Sequence, residues 1–307
     1  MLARRPLPVC LDRAGTALAA GVLMLATLAS GAAQAASAPA RAPRSTAAQP
    51  CGRVTAGARY RHVIWIVMEN YGYAAVTNRA SAPYLAQLSR QCGLATNYVA
   101  ITHPSLPNYI ALTAGSPEGI ADDGEPVAHP LDVPSIFSQL KGAWRAYEES
   151  MPRACDRVTS GSYAARHDPA VYYTNLGTAC AHDVLPLTGA LDLSAPFTFV
   201  TPNICNDMHS CPISTGDTWL SHFVPRILDS RAYRSGTAVL FITWDESDTG
   251  PRNQVATYVI APSVRRASRS AVPFTHYSLL RTTEQLLHLP LLGGARTARS
   301  MVGAFHL

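Results

Sequence analysis

Residues 62–68, 197–200 and 237–244 are apolar at nearly every position and rich in β-branched and aromatic side chains. A strand with one face in water alternates apolar with polar; a strand covered on both faces does not. These runs therefore predict interior strands of a mostly parallel sheet. Residues 254–260 give a fourth strand, and Trp144 to Tyr147 a short fifth. Elsewhere apolar positions recur at helical spacing. A helix is predicted over 82–92 after an early proline, and another from Ser105, where Pro107 suits a first helical turn, to near Gly115. A third starts within 134–141. Trp219, Leu220, Phe223, Val224, Ile227 and Leu228 share one face of a helix opened by Gly216-Asp217, with Pro225 marking a point for a kink. Leu279, Leu280, Leu286 and Leu287 line one side of a helix preceded by His276, with Thr275 as a cap.

Strands and helices alternating across 57–307 without an internal linker predict one α/β domain, its mostly parallel central sheet covered by helices on both faces. Residues 151–190, rich in Pro, Gly, Ser and Asp with two cysteines, read as a stapled excursion over the sheet.

The chain opens differently. Arg4, Arg5 and Arg13 precede an Ala-rich apolar run and the small-x-small pattern Ala33-Gln34-Ala35, so residues 1–35 are read as a cleaved signal peptide and 36–56 as a linker. Export is the expected fate. Six cysteines follow the leader, an even number that favours disulfides; nearest-neighbour pairing gives 51–92, 155–180 and 205–211, one of several connectivities. No Cys-x-x-Cys supports the competing zinc site. Without the leader the balance is 22 basic against 19 acidic residues, too mild to argue for nucleic acid. Arg265, Arg266 and Arg269 form a local basic cluster, read as a solvated face with lipid contact as the alternative.

The chemistry gathers where strands end. Strand ends after Met68, Val200 and Trp244 deliver Glu69-Asn70, Asp207-Met208-His209 and Asp245-Glu246. If those strands are parallel neighbours, the three polar sets converge on one edge, where α/β sheets place their ligand sites. Carboxylates with an amide oxygen suit a hard divalent cation. Ser105, at a helix start, faces unpaired N–H groups that attract phosphate-like anions; it is a candidate nucleophile or only a cap. His209 and His276 are candidates to protonate a leaving alkoxide or to complete a second metal position. His167 stands out within the excursion. The remaining histidines read as structural or surface residues.

Met68-Glu69-Asn70, the run from His103 to Tyr109, Pro202-Asn203 through His209, Thr243 to Glu246, and His276-Tyr277-Ser278, in that order, resemble the bacterial phosphoesterase family of secreted acid phosphatases and phospholipases C, within the alkaline phosphatase superfamily. The resemblance spans about residues 60–290. It implies an alkaline-phosphatase-like fold and a phosphorylated nucleophile at Ser105. It further implies metal ligation by Glu69, Asn70, Ser105, Asp245 and Glu246, phosphate contact through Asn108, acid–base work at His209 or His276, and substrate binding by His103, His167 and Asp207. A Glu-Asn pair stands where wider superfamily members have an aspartate, and Glu246 where they have histidine. One divalent ion (calcium, magnesium, manganese or zinc) is therefore expected, with a second left open.

The expected activity is hydrolysis of phosphate monoesters through a phosphoseryl intermediate. A phospholipase C acting on phospholipids is the alternative, and a non-catalytic anion-binding protein the third. Expected partners are a small phosphate ester or phospholipid head group and no nucleic acid, with membrane contact and oligomeric state left open.

Overall fold

The computed structural model describes residues 49–54, 59–248 and 252–307. The proposed leader, and the linker up to residue 48, lie outside the described residues. The strands are β1 (His62–Met68), β2 (Gly93–Val99), β3 (Trp144–Glu148), β4 (Val184–Pro186), β5 (Phe197–Thr201), β6 (Ala238–Trp244), β7 (Gln254–Ile260), β8 (Arg269–Ser270) and β9 (Phe274–Thr275). The helices are α1 (Tyr73–Val76), α2 (Pro83–Gln91), α3 (Ser105–Ala114), α4 (Ile136–Gln139), α5 (Thr178–Asp183), α6 (Ile213–Leu228), α7 (Arg231–Arg234), α8 (His276–Leu286) and α9 (Val302–Phe305).

The uninterrupted apolar runs lie in the middle of the sheet. Its order is β4-β3-β5-β1-β6-β7-β2-β8, with β9 beside β2. β5 and β6 are buried at every position, and β1 at every position after His62. Trp65 anchors this centre. Its ring meets Phe197 edge-on at 4.9 Å and its Nε1 donates to Thr283 Oγ1 of α8 at 3.0 Å, so a large side chain is buried with its polar atom satisfied. Burial of such a side chain contributes on the order of 2–3 kcal/mol.

β3, β4, β5, β1 and β6 run parallel, as expected, while β7 is antiparallel to both neighbours. That reversal turns β2 back into the direction of β1, so the chain leaving Val99 emerges at the carboxyl edge and feeds the Ser105 helix. The apolar pattern does not predict β2. Its Gly-Leu-Ala-Thr-Asn-Tyr-Val sequence holds residues depleted in strands, and Thr96 and Asn97 are only half-buried.

Other boundaries also move. α6 starts at Ile213, which puts Gly216 and Asp217 inside its first turns, and the Asp217 carboxylate accepts the Tyr84 and Leu85 N–H groups at the start of α2. The excursion does more than cover the sheet: it supplies β4 as an edge strand. Cys51, placed by composition in the linker, is buried and bonded to Cys92, so the folded body begins before residue 57. The other two bridges, Cys155–Cys180 and Cys205–Cys211, form as paired from the sequence.

α3 is buried along its whole length. It ends at Gly115 with φ +79°, where a Cβ would lie 2.7 Å from Leu292 O, so both the backbone angle and the close approach require glycine.

Candidate active site

β1, β5 and β6 end side by side, and their outgoing chains are tied together. The Asp245 N–H donates to Met68 O and the Glu69 N–H to Asp207 O, each at 2.9 Å. Glu69 is thereby fixed between two other carboxylates, all three fully buried. The Asn70 N–H, presented from a left-handed backbone (φ +61°), donates to Asp245 Oδ1 at 3.0 Å.

Glu69 is the hub. Ser105 Oγ donates to its Oε2 at 3.0 Å, and Tyr109 Oη to its Oε1 at 2.7 Å. Ser105 and Tyr109 stand one helical turn apart on α3, so their side chains share a face. Ser105 is therefore not the helix cap. Pro104, after a cis His103–Pro104 bond, occupies the N-cap position, and Asp123 Oδ1 accepts the Leu106 N–H at 2.9 Å.

His167 completes the cluster from the excursion. Its Nδ1 lies 3.1 Å from Asp207 Oδ2, its ring stacks on Tyr109 at 5.4 Å, and its Nε2 lies 3.3 Å from Glu69 Oε1. Burial holds the ring neutral, and the Asp207 partner assigns its hydrogen to Nδ1. Nε2 then points a lone pair at a carboxylate oxygen. His209 is half-buried 5.5 Å away; Arg166 donates to its Nε2 at 3.1 Å, and its Nδ1 faces Ser210 Oγ. Burial, His167 and Arg166 push its pKa down.

The electrostatics describe a site made for positive charge. Burial, then Asp245 and Asp207, push Glu69 well above the carboxylate range; burial raises Asp207 and Asp245 to about 7 each. Burial and Asp245 raise Glu246 to about 8. Asp245 Oδ2 and His167 Nε2 are among the buried side-chain atoms that have no hydrogen-bond partner. Both belong to groups joined to Glu69. These donors fit divalent cations. Glu69, Ser105 and Asp245 offer oxygen atoms only, while Glu69, His167 and His209 bring donor atoms within 4.8 Å of one another and mix nitrogen with oxygen.

Three sequence-derived roles change. Asn108 is fully buried and does not face a substrate: its Oδ1 accepts the Ile101 and Thr102 N–H groups, and its Nδ2 reaches Thr102 O, Pro104 O and Glu246 Oε2. It staples the loop that delivers Ser105. His276 is also fully buried, with Nε2 donating to Asp245 O at 2.6 Å and Nδ1 beside Tyr98 Oη at 3.1 Å. Burial lowers its pKa to about 4, so it props up the Asp245 backbone and has no path to a leaving group. Glu246 accepts from Asn108 and pairs with half-exposed His103 (Nδ1 to Oε2, 2.9 Å), which places it on the loop staple. Tyr109, Asp123 and Arg166 were not anticipated. Tyr109 was legible as the residue four positions after Ser105; Asp123, in a loop, carried no signal.

Ser105 at its helix start lies beside a carboxylate-rich carboxyl edge of the parallel strands β5, β1 and β6. The Phosphoesterase family model matches residues 59–290, and the chain belongs to that family. It is a hydrolase of phosphoric esters. It is 32% identical over 245 residues to a phosphatidylinositol-3-phosphatase of Mycobacterium tuberculosis, covering 78% of this chain and 81% of that one. It is 29% identical to a phosphate-repressible acid phosphatase of Penicillium chrysogenum, covering 75% of this chain but only 59% of the fungal enzyme. In fold it matches a Vibrio parahaemolyticus protein of the alkaline phosphatase superfamily, with TM-score 0.54, 10% identity, and coverage of 78% and 69% of the two chains.

Proposed function

We propose that this protein is an exported, metal-dependent phosphomonoesterase working through a phosphoserine at Ser105. The observation that carries the reading is the 3.0 Å hydrogen bond from Ser105 Oγ to Glu69 Oε2, beside the unpartnered Asp245 Oδ2. Ser105 Oγ attacks phosphorus in line, its hydrogen already directed at Glu69. The Oγ–P bond forms as the Ser105 proton passes to Glu69 and the P–O bond to the alcohol breaks, and the departing alkoxide takes a proton from half-buried His209. Water, giving a proton to His209, then attacks phosphorus, the Oγ–P bond breaks as Ser105 Oγ regains its proton from Glu69, and phosphate leaves. Arg166, beside His209, is placed to hold the phosphoryl oxygens. A divalent cation held by Glu69, Ser105 and Asp245 would supply positive charge that favours the serine alkoxide and offsets charge on phosphate.

Monoesters are favoured over phospholipid diesters because both relatives named above are phosphatases. Three disulfides support an oxidising compartment, and no helix among the described residues is long and apolar enough to cross a membrane. Assay of p-nitrophenyl phosphate beside phosphatidylcholine tests the assignment. Release of p-nitrophenol that is lost in Ser105→Ala supports it; cleavage of the lipid diester alone contradicts it.

A further inference from the structure

Asp123 stands where an anion would bind. Leu106 follows Ser105 directly, and its N–H is one of the unpaired donors at the start of α3, where phosphate-like anions are held. Asp123 Oδ1 accepts that N–H at 2.9 Å, and Asp123 Oδ2 forms an ion pair with Arg166 Nε at 3.9 Å. Arg166 in turn donates to His209 Nε2 at 3.1 Å. One carboxylate therefore engages both a backbone donor next to the nucleophile and the guanidinium placed for the phosphoryl oxygens. Buried Asp245 Oδ2, without a hydrogen-bond partner, belongs to the same centre, its carboxylate lying against Ser105. The charge of Asp123 reaches across that centre, to Glu246 after β6, to His167 of the excursion and to His209 after β5.

The loop is fixed while the carboxylate has room to leave. Asp122 Oδ1 accepts the Gly124 N–H at 2.8 Å and meets His129 Nε2 at 2.5 Å, and Tyr172 Oη donates to Gly124 O at 2.8 Å, so the residues on both sides of Asp123 are tied. The Asp123 side chain is 38% exposed, and rotation about its own χ1 carries the carboxylate to solvent without moving the loop. A phosphoryl group entering at Ser105 needs the same Leu106 N–H and Arg166, and it carries more charge and one more oxygen than the carboxylate it meets. We propose that Asp123 is a tethered anion that occupies the phosphoryl-binding donors between turnovers, gives them up to the incoming ester and retakes them as phosphate departs. Any phosphoryl ligand then binds more weakly by the fraction of time the donors are free, so the hold on substrate and on product is loosened alike. The identity of the substrate rests on the phosphomonoesterase reading; the competition for the donors does not.

The test compares the wild type with Asp123→Asn, which keeps an acceptor oxygen for the Leu106 N–H and removes the charge, and with Asp123→Ala, which removes the competitor. Calorimetric titration with inorganic phosphate is run beside p-nitrophenyl phosphate kinetics on the metal-loaded protein. Both variants should bind phosphate more tightly, Asp123→Ala by about tenfold or more, with KM and the inhibition constant of phosphate falling in step. Unchanged or weaker phosphate binding in Asp123→Asn overturns the proposal, because a residue that only caps α3 or only steadies Arg166 would give that result. If Asp123→Ala unfolds for want of the cap, the Asn variant alone decides. Tighter phosphate binding in the variants of a protein that turns over no monoester would overturn the phosphomonoesterase reading while upholding the tethered anion.

Discussion

His167 Nε2 faces Glu69 Oε1 at 3.3 Å, a lone pair set against a carboxylate oxygen. Either a proton on the Glu69 carboxyl, which burial favours, or a cation between the two groups relieves this repulsion. Glu69→Gln should therefore remove bound metal and lower kcat by about 10²–10³-fold. His167→Gln should lower the bound metal only at the nitrogen-containing position. Elemental analysis of the purified variants beside p-nitrophenyl phosphate kinetics checks both.

The raised carboxyls make stability depend on pH and on metal in opposite ways. Asp207 and Asp245, at about 7 in the folded chain, lie above their unfolded values near 4, so the metal-free protein holds their protons more tightly when folded. The stability they contribute is full below about pH 4 and is lost as pH rises through 7. A bound cation would replace those protons and remove the loss. Chelated protein should show a Tm that falls by roughly 5–10 °C between pH 5 and 8, and metal-loaded protein should not; thermal scans across pH measure this.

His276 carries the opposite sign. Its pKa of about 4 lies below the ordinary histidine value, so its share of stability is present above about pH 6.5 and is lost as pH falls towards 4, on the order of 3 kcal/mol in all. His276→Gln should abolish this acid-side slope in urea titrations. Because the ring holds a backbone carbonyl and meets no substrate, the apparent pKa values of the kcat profile should stay where they are, whereas His209→Gln should remove the limb set by the general acid.

Asn108→Ala tests the loop staple. Removing five hydrogen-bonding contacts from a buried amide should cost about 2–4 kcal/mol, and release of residues 101–104 should displace Ser105 enough to cost about 10²-fold in kcat. A residue that only touched phosphate would lose activity with an unchanged Tm. Paired unfolding and kinetic measurements separate the two.

The three fully covered strands were legible because burial on both faces leaves no polar position, and their parallel order alone brings Glu69, Asp207 and Asp245 to one edge. Ser105 was legible from Pro107. β2 was not, because its polar positions are satisfied by a side-chain hydrogen bond at the sheet margin, Thr96 Oγ1 to Ser270 O. The roles of Asn108 and His276 were misread for one physical reason. Composition marks a polar residue near a site, but only packing shows whether its atoms face the substrate or hold the backbone behind it. Asp123 and Arg166 reach the site from loops whose course no periodicity predicts.

The central claim is the covalent step at Ser105. Enzyme mixed with a phosphate monoester and quenched in acid, then digested and read by mass spectrometry, should yield a phosphorylated peptide containing Ser105, absent from Ser105→Ala. Rapid turnover with no phosphopeptide at any quench time, or with the label on another residue, would contradict the account.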